Sequence, residues 1–599
     1  MSSTQAIQER IDALREEMKA ARIDGYLIFG TDPHMSEYVA QRWRDRAWIS
    51  GFTGSAGTVV CTGEKVGLWT DSRYYVQGAQ QLKGSTIRLF RQEESDVPDM
   101  CEWLGRELPK GSVVGVYGWT ISEDMFEDVR RKLAVYGVKL HASADLLENI
   151  WEDRPGLPEE DVYQHDVRYA GLSRQEKIEH LQKNLWSMRA DYQLLASLSD
   201  IAWLFNLRGN DISYNPLFLS YAFIGKEEVH LCVDRQKLSE ELTSLLEEDG
   251  IKIVPYQSIG DLIEKQVRSD DRVLYDPASV NYALAEILGS HARGVHTADV
   301  TRRAKAVKNS TEIEGIRNAL VKDGVAMVQF LYWLKNTWER GNLNEYSVGA
   351  ALPQFRSRQA GFMGESFSPI VGFRDHGAVI HYSATESSAY KLDGDGVLLV
   401  DSGAHYLDGT TDITRTVALG EVSPQQREDY TNVLKSHISL AQARFPRGTR
   451  GIQLDSIAKR PMWARGLSYT HGTGHGVGCF LNVHEGPQSI SRRLVDAEIE
   501  PAMVNSNEPG LYREGAYGIR IENLILTKEE FETPFGRFYG FETITLCPLE
   551  PALIDPSLLN SEQLRWVNEY HQRVYSSLSP YLKPEERRWL EEETALIKH

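Results

Sequence analysis

The chain has 599 residues and a formal net charge of −19, with 66 Lys and Arg against 85 Asp and Glu. Such an acidic surface repels phosphate groups, which excludes nucleic acid and anionic membranes as expected partners. Apolar residues make up 41% and charged residues 25%, which is typical of a globular protein. At about 150 residues per domain, the length predicts about three or four domains.

The N-terminus predicts an amphipathic helix, because Ile7, Ile11, Leu14 and Met18 recur at helical spacing before an apolar strand. No window reaches the roughly 18 apolar residues that a membrane span needs. The five cysteines are scattered without CxxC spacing, which argues against a disulfide framework and favours a reducing compartment. We therefore expect a cytoplasmic protein.

The first half of the chain contains a faint internal repeat of a helix followed by strands. Residues 1–155 and 156–307 are therefore predicted to be two related α/β domains, joined by the acidic linker EDRPGLPEEDVYQHD. The repeat rests on three pairs of similar segments: ERIDALREEMKAARIDGYLIF and QEKIEHLQKNLWSMRADYQLL, AWISGFTGS and AWLFNLRGN, KVGLWTDSRYY and EVHLCVDRQKL.

Residues 308–599 form a third predicted domain. It begins with a helix near Asn309, where Thr311 to Glu314 has the form of a capping box. Short strands then alternate with Gly-rich turns, as in VLLVDSGAHYLDGTTDITRTVAL, which is an α+β pattern. The tail from about residue 556 predicts helices that pack on a core.

Two aspartates of this domain flank a turn. Asp401 ends the apolar run VLLV and Asp412 lies in TTDITRT, so the intervening turn signal predicts a hairpin. A turn centred on Tyr406–Leu407 would place the aspartates opposite each other, whereas one on Asp408–Gly409 would offset them. Two carboxylates close together on buried strands repel each other unless a cation lies between them. The alternative is a pair of turn aspartates that face water.

Three of the 16 histidines lie in one glycine-rich stretch, YTHGTGHGVGCFLNVHEGP. His471 and His475 are spaced as on one helical face, but the surrounding glycines argue against a helix and against a zinc site of HExxH form. We expect a glycine-kinked strand whose backbone approaches something bound, with both imidazoles on one face. A single histidine here would usually be a packed core residue, whereas three together favour function.

Two glutamates complete an oxygen-rich set. Glu508 precedes Pro509, which favours an extended backbone. In GIRIENLIL, taken as one strand, Arg520 and Glu522 share a face, either as a buried ion pair or as part of a site. Two Asp, two Glu and one His without a thiolate favour two divalent cations such as Mn²⁺, Co²⁺ or Zn²⁺.

These stretches together resemble a known family. DSGAHYLDGTTDITRT, HGTGHGVGCFLNVHEGP, NEPGLY and GIRIEN are similar to the catalytic domain of the pita-bread metallopeptidases. SGFTGSAGT and LWTDSRYY are similar to the first domain of the long, three-domain, cytosolic-type Xaa-Pro aminopeptidases. The resemblance covers essentially the whole chain. It implies an α+β fold, with a C-terminal pita-bread catalytic domain preceded by two related creatinase-like α/β domains, and it implies a homodimer.

The resemblance also implies roles for individual residues. Five would be the ligands of two divalent ions, Mn²⁺ before Co²⁺ or Zn²⁺: Asp401, Asp412, His475, Glu508 and Glu522. Asp412 and Glu522 would bridge the ions, Asp401 would complete one, and His475 with Glu508 would complete the other. Four residues match the substrate side of the family's site: His381, His471, His484 and Arg520.

The implied activity is hydrolysis of the bond between an N-terminal residue and a penultimate proline, so peptides of that kind are the expected partners. The two cations would lower the pKa of a shared water. Glu508 would accept its proton and pass it to the leaving proline nitrogen. His381 and His484 would help to stabilise the oxyanion.

Two alternatives remain at this stage. Prolidase cleaves only Xaa-Pro dipeptides, and the three domains with a tail favour the aminopeptidase over it. A non-enzymatic, peptide-binding pita-bread protein is a remote alternative, because all five ligand positions are intact. One segment departs from the family pattern: FRDHG, residues 373–377, replaces a segment of small residues ahead of His381. The shape of the substrate rim is therefore not predicted.

Overall fold

The computed structural model describes residues 3–598, which form two compact units. The first contains the chain up to His165 together with Leu172–Thr301, and the second contains Asp166–Gly171 and the chain from Arg302 onward. Among the helices of residues 3–598, none is both long and apolar enough for a membrane span. The domain limits at residues 155 and 307 stay a prediction.

The first unit contains two six-stranded sheets with the same topology. Numbered along the chain within each sheet, the strands lie in the order 4-3-2-1-5-6 in both. Strand 2 is antiparallel to strands 1 and 3, and the other pairs are parallel. The strands are Gly25–Ile28, Thr58–Thr62, Val66–Thr70, Ile87–Arg91, Val113–Tyr117 and Lys139–Ser143, then Tyr192–Leu195, Tyr221–Gly225, Val229–Cys232, Ile251–Val254, Arg272–Tyr275 and Arg293–His296.

The helices of this unit follow the same repeat. Each sheet is preceded by a long helix, and each has a short helix between its first two strands, where the similar segments AWISGFTGS and AWLFNLRGN begin. The predicted repeat is thus confirmed. The N-terminal helix is amphipathic as predicted, because its four apolar residues are buried. The helices are Ser3–Ala20, Asp45–Ser50, Tyr75–Gln81, Met100–Glu107, Glu123–Ala134, Arg174–Met188, Leu198–Leu204, Glu240–Glu248, Ile259–Gln266 and Tyr282–His291.

The second unit contains the short helix Val167–Ala170, the end of helix Val300–Ala306 and a capped helix, Ser310–Thr337. The predicted capping box was misplaced by two residues: the Asn309 side chain accepts from the Glu312 backbone, and Glu312 Oε2 accepts from the Asn309 backbone. Asparagine caps as well as threonine does, and only the backbone path decides between them. The other helices are Glu345–Arg356, Pro424–Ala441, Gly451–Trp463, Ser561–Leu578 and Pro584–Glu593.

The sheets of the second unit are small except for one of six strands. That sheet has the order Arg444–Pro446, Gly536–Thr543, Asn523–Thr533, Val504–Asn507, Gly474–Gly476 and Glu485–Ile490. The others are Ile370–Phe373 with Gly396–Ser402 and Ile413–Leu419; Phe362–Glu365 with Ala404–Tyr406 and Gly409–Thr410; and Gly510–Arg513 with Tyr517–Arg520.

The C-terminal tail packs on the core of this unit, as the sequence predicted. Val567, Tyr570, Val574 and Leu578 recur along one face of Ser561–Leu578 and are buried. They share a hydrophobic cluster with Ile519 and Ile521, which flank Arg520 of the candidate site. The tail therefore supports the floor of that site through apolar burial.

Candidate metal centre

The register of one hairpin places the two aspartates. Asp401 pairs with Thr414, and further along the same hairpin His405 pairs with Thr410, so the turn is centred on Leu407–Asp408. This register lies between the two that the sequence left open. Asp412 is therefore offset by two residues from the position opposite Asp401, as a diagonal neighbour on the same face. Both side chains are buried.

His475 lies on the short strand Gly474–Gly476, so the predicted strand is confirmed. Its Nδ1 donates to the Gly476 carbonyl at 2.9 Å, which directs Nε2 toward the carboxylates. Nε2 is 3.4 Å from Asp412 Oδ2 and 3.5 Å from Glu508 Oε1. The imidazole thus offers its second nitrogen to two acids at once.

The glycines beside His475 pack against neighbouring strands, and the expected approach of this backbone to a bound molecule stays a prediction. A Cβ on Gly474 would lie 2.0 Å from the Ser506 carbonyl oxygen, and one on Gly476 would lie 2.3 Å from the Glu485 carbonyl oxygen. Any side chain at these positions would separate the strands, so the glycines are required by sheet packing.

Glu508 and Glu522 approach the same place from different segments. Ser506 Oγ donates to Glu508 Oε1 at 3.1 Å, and Thr414 Oγ1 donates to Glu522 Oε2 at 2.8 Å. GIRIENLIL is two strands rather than one, because the chain leaves the strand Tyr517–Arg520 and enters Asn523–Thr533 in another sheet. Glu522 lies at that break.

Asp412, His475 and Glu522 form a group that could hold a metal ion, with one ligand atom from each lying within 4.8 Å of the others. Glu508 Oε1 lies 3.5 Å from His475 Nε2, and Asp401 is a diagonal neighbour of Asp412 on the hairpin. The five residues that the sequence proposed as ligands are therefore neighbours in the structure. Their roles as ligands stay a prediction.

The protonation chemistry of these residues fits divalent cations. Burial, and then the charge of Asp412, raise the pKa of Asp401 to about 6 against the opposing effect of Arg520. Burial and neighbouring acids also raise the pKa values of Glu508 and Glu522. Asp401 Oδ1 is buried and has no hydrogen-bond partner among residues 3–598. The Arg520 guanidinium donates to Asp401, and hydroxyls donate to Glu508 and Glu522, so a cation would supply positive charge to acids that repel one another.

The electrostatic setting of His475 also suits a metal ligand. Burial opposes its charged form, but the hydrogen bond to Asp412 and the charge of Glu508 outweigh burial and raise its pKa to about 9. An imidazole so close to two acids holds either a proton or a metal ion on Nε2.

The remaining cation of the site is Arg520. Its Nη2 donates to Asp401 Oδ2 at 2.6 Å, and its Nη1 donates to the Tyr512 hydroxyl at 2.7 Å. That hydroxyl donates to His471 Nε2 at 2.8 Å, because His471 Nδ1 already donates to the Gly472 carbonyl. Tyr512 was missed from the sequence, although NEPGLY, which contains it, was quoted as part of the family pattern.

Four family models match consecutive parts of the chain. Creatinase/Prolidase N-terminal domain matches residues 10–150 and 153–312, Metallopeptidase family M24 matches residues 314–529, and C-terminal region of peptidase M24 matches residues 537–597. A "Probable Xaa-Pro aminopeptidase P" of Botryotinia fuckeliana is 40% identical over 98% of this chain and 92% of its own length. The chain belongs to metallopeptidase family M24.

Other relatives also match over most of their length. "Aminopeptidase P2" of Arabidopsis thaliana is 37% identical over 96% of this chain and 86% of its own. The X-prolyl aminopeptidase of Caenorhabditis elegans, described as a cytosolic enzyme with a di-nuclear active site, superposes with a TM-score of 0.94 at 35% identity. The match covers 99% of this chain and 100% of the other. The predicted fold, two creatinase-like domains followed by a pita-bread domain, is confirmed.

Two of the predicted substrate-side histidines occupy different settings in this M24 chain. The His484 ring lies 4.4 Å from the His475 ring, edge to face, so it adjoins the candidate ligands. His381 lies in the turn after the short 3-10 helix Arg374–Ala378. Contact of either residue with substrate stays a prediction.

The segment that departs from the family pattern is well anchored. His376, within FRDHG, directs Nδ1 at the Glu345 carboxylate at 2.9 Å. Gly377 packs backbone to backbone against Gly518, where a Cβ on Gly518 would lie 1.7 Å from the Gly377 carbonyl oxygen. Sequence spacing gave no signal for either contact, because Glu345 and Gly518 are distant along the chain.

Proposed function

We propose that this M24 chain is an Xaa-Pro aminopeptidase, which hydrolyses the bond between an N-terminal residue and a penultimate proline. One observation carries the proposal: the group of Asp412, His475 and Glu522, whose two acids are buried, lies in a chain that matches a di-nuclear X-prolyl aminopeptidase over 99% of its length. Peptides with a penultimate proline are the corresponding substrates.

Five residues would hold two divalent cations: Asp401, Asp412, His475, Glu508 and Glu522. Asp412 and Glu522 are the candidates for bridging, by resemblance to the family. Because four of the five donors are carboxylates, we favour Mn²⁺ over Co²⁺ or Zn²⁺. When bound, the cations would polarise the scissile carbonyl and supply a nucleophile at neutral pH.

The protein supplies proton transfer and orientation. Glu508 is the candidate that would accept a proton from the water and pass it to the proline nitrogen. Ser506 orients this carboxylate through Oε1. His484, beside His475, and His381 are the candidates for contact with the developing oxyanion. Arg520 and Tyr512 hold Asp401 and His471 in place.

We also propose a cellular location and an oligomeric state. The C. elegans enzyme is described as cytosolic, and we propose the same cytoplasmic location for this chain. We also propose a homodimer, which light scattering after size-exclusion chromatography would test.

The activity is tested with the purified protein and Mn²⁺ on three peptides: an Xaa-Pro-Xaa tripeptide, an Xaa-Pro dipeptide and an Xaa-Ala-Xaa control. We expect release of the first residue from the tripeptide and no cleavage of the control. Cleavage of the dipeptide alone would contradict the proposal in favour of prolidase. Binding of the tripeptide without cleavage, with metal present, would favour a non-enzymatic role.

A further inference from the structure

The loop that carries His381 is anchored to one buried carboxylate. Glu345, the first residue of helix Glu345–Arg356, has no exposed surface. Its Oε1 accepts from the Phe373 backbone at 2.7 Å, and its Oε2 accepts from the Tyr390 backbone at 2.7 Å. Phe373 precedes the loop and Tyr390 lies near its end, so a single side chain holds both ends.

Side chains within the loop add to this anchor. Tyr382, next to His381, donates its hydroxyl to Glu345 Oε2 at 3.0 Å, and His376 Nδ1 lies 3.0 and 2.9 Å from the two oxygens. The His376 ring stacks on Tyr390 at 3.6 Å and lies 4.3 Å from the Tyr382 ring. We refer to Glu345, His376, Tyr382 and Tyr390 together as the Glu345 clamp.

The clamped loop is connected to two strands of the candidate metal centre. The strand Ile370–Phe373, which leads into the loop, pairs with Gly396–Ser402 so that Ile370 lies opposite Asp401. Gly377 rests on Gly518, whose strand also carries Arg520. The strand that leads into the loop therefore pairs with the strand of one candidate ligand, and the loop itself packs on the strand of the arginine that contacts that ligand.

The backbone of the loop is held in a conformation that needs such support. Arg374 has φ of +54°, a left-handed conformation that is strained for a residue other than glycine. Its guanidinium donates to the Asp393 carbonyl at 2.6 Å, on the far side of the loop. Strain of this kind persists only where surrounding contacts fix the chain.

We propose that the Glu345 clamp is a positioning device for the proposed reaction: Glu345 and His376 hold the loop so that His381 is presented to the substrate beside the metal centre. The proposal rests on the proposed function for its catalytic consequence, and on the contacts above for its structural one. It also assigns a purpose to FRDHG, the segment that departs from the family pattern, since His376 belongs to it.

The test compares His376→Ala, which removes the ring and its nitrogen, with His376→Asn, whose amide can donate to Glu345 from a similar place. We expect His376→Ala to lower kcat by about tenfold with a smaller change in KM, because a displaced reacting group loses rate rather than ground-state binding. His376→Asn should recover most of kcat. Metal content should stay at the wild-type level in both variants.

A double-mutant cycle shows whether His376 acts through His381. In a His381→Ala background, His376→Ala should cause little further loss, because the residue it positions is already gone. An equal loss in both backgrounds would overturn the proposal. His141→Ala, an exposed residue of the first unit, serves as the matched control.

Hydrogen–deuterium exchange tests the clamp without any activity. His376→Ala and Glu345→Gln should accelerate exchange in residues 374–390 and leave Gly396–Ser402 unchanged, whereas His376→Asn should not. Unchanged exchange in residues 374–390 of both loosening variants would refute the clamp. Inactivity of the wild type toward Xaa-Pro-Xaa would count against the proposed function alone, and the exchange result would still decide the clamp.

Discussion

Two places in the second unit bury carboxylates, and they do so in opposite ways. Glu345 is fully buried and accepts from the backbones of Phe373 and Tyr390 and from two side chains. At the acid cluster, Asp401 Oδ1 has no partner among the described residues, and burial raises the pKa values of Asp401 and Glu522.

The difference separates structural carboxylates from candidate ligands. A buried acid whose oxygens are met by protein donors contributes to a fixed local structure. A buried acid that has few donors and lies beside other acids destabilises the metal-free protein, and a cation offsets that cost. Donor count, rather than burial alone, distinguishes the two.

The largest expected effect comes from a substitution in the acid cluster. His475→Ala should remove an imidazole ligand, so bound metal and activity should fall together, with activity reduced roughly 1000-fold or more. Metal content by plasma mass spectrometry and the tripeptide assay measure both. His484→Ala is the control, since it should lower activity and keep the metal. A His475→Ala protein with full metal content would contradict the ligand assignment.

His571 is a buried base, and it extends the comparison from buried anions to a buried group that would carry a positive charge. Burial, and then Arg415, lower the pKa of His571 to about 4, and Leu549 N–H donates to its Nε2 at 3.2 Å. The unfolded chain binds this proton near pH 6.5, so His571 should leave stability intact above that pH and reduce it as pH falls toward 4. The full loss is about 3 kcal/mol.

Calorimetry of the wild type and His571→Gln between pH 4 and pH 7 measures this effect. The glutamine keeps an acceptor for Leu549 and does not titrate, so its acid destabilisation should be smaller. Identical pH profiles for the two proteins would show that His571 does not carry the effect.

Metal addition should stabilise the protein through the acid cluster, and the size of this effect should not depend on the Glu345 clamp. At a free Mn²⁺ concentration of 100 times the dissociation constant, binding to the folded state adds about 2.7 kcal/mol. The unfolding midpoint should therefore rise with Mn²⁺ and fall with chelator, in the wild type and in Glu345→Gln alike. An unfolding midpoint that is the same with Mn²⁺, with chelator and with neither would argue against a metal centre.

The smallest effects should have opposite signs in metal-free protein. Glu345→Gln weakens hydrogen bonds to a buried charge and should cost about 2 kcal/mol. Glu522→Gln retains an acceptor for Thr414 while removing an acid from the cluster, and should stabilise by about 2 kcal/mol. Calorimetry in chelator compares them. Destabilisation by Glu522→Gln as large as that by Glu345→Gln would remove the distinction between the two places.

The sequence predicted the elements better than their connections. The amphipathic helix, the repeated first unit, the helical tail and the strand around His475 all follow from periodicity and turn residues. The capping box was displaced to Asn309, and GIRIENLIL is broken before Glu522. Both errors concern where a backbone changes course, which neighbouring segments decide.

The sequence by itself determined the kinds of donor, their order along the chain and the resemblance that joins them. Only the tertiary structure decided the hairpin register that makes Asp401 and Asp412 diagonal neighbours, and the link from Arg520 through Tyr512 to His471. It alone also showed that Glu345 is satisfied where Asp401 is not. The physical reason is that a carboxylate's donors come from segments far along the chain, so their number is set by packing and is absent from local pattern.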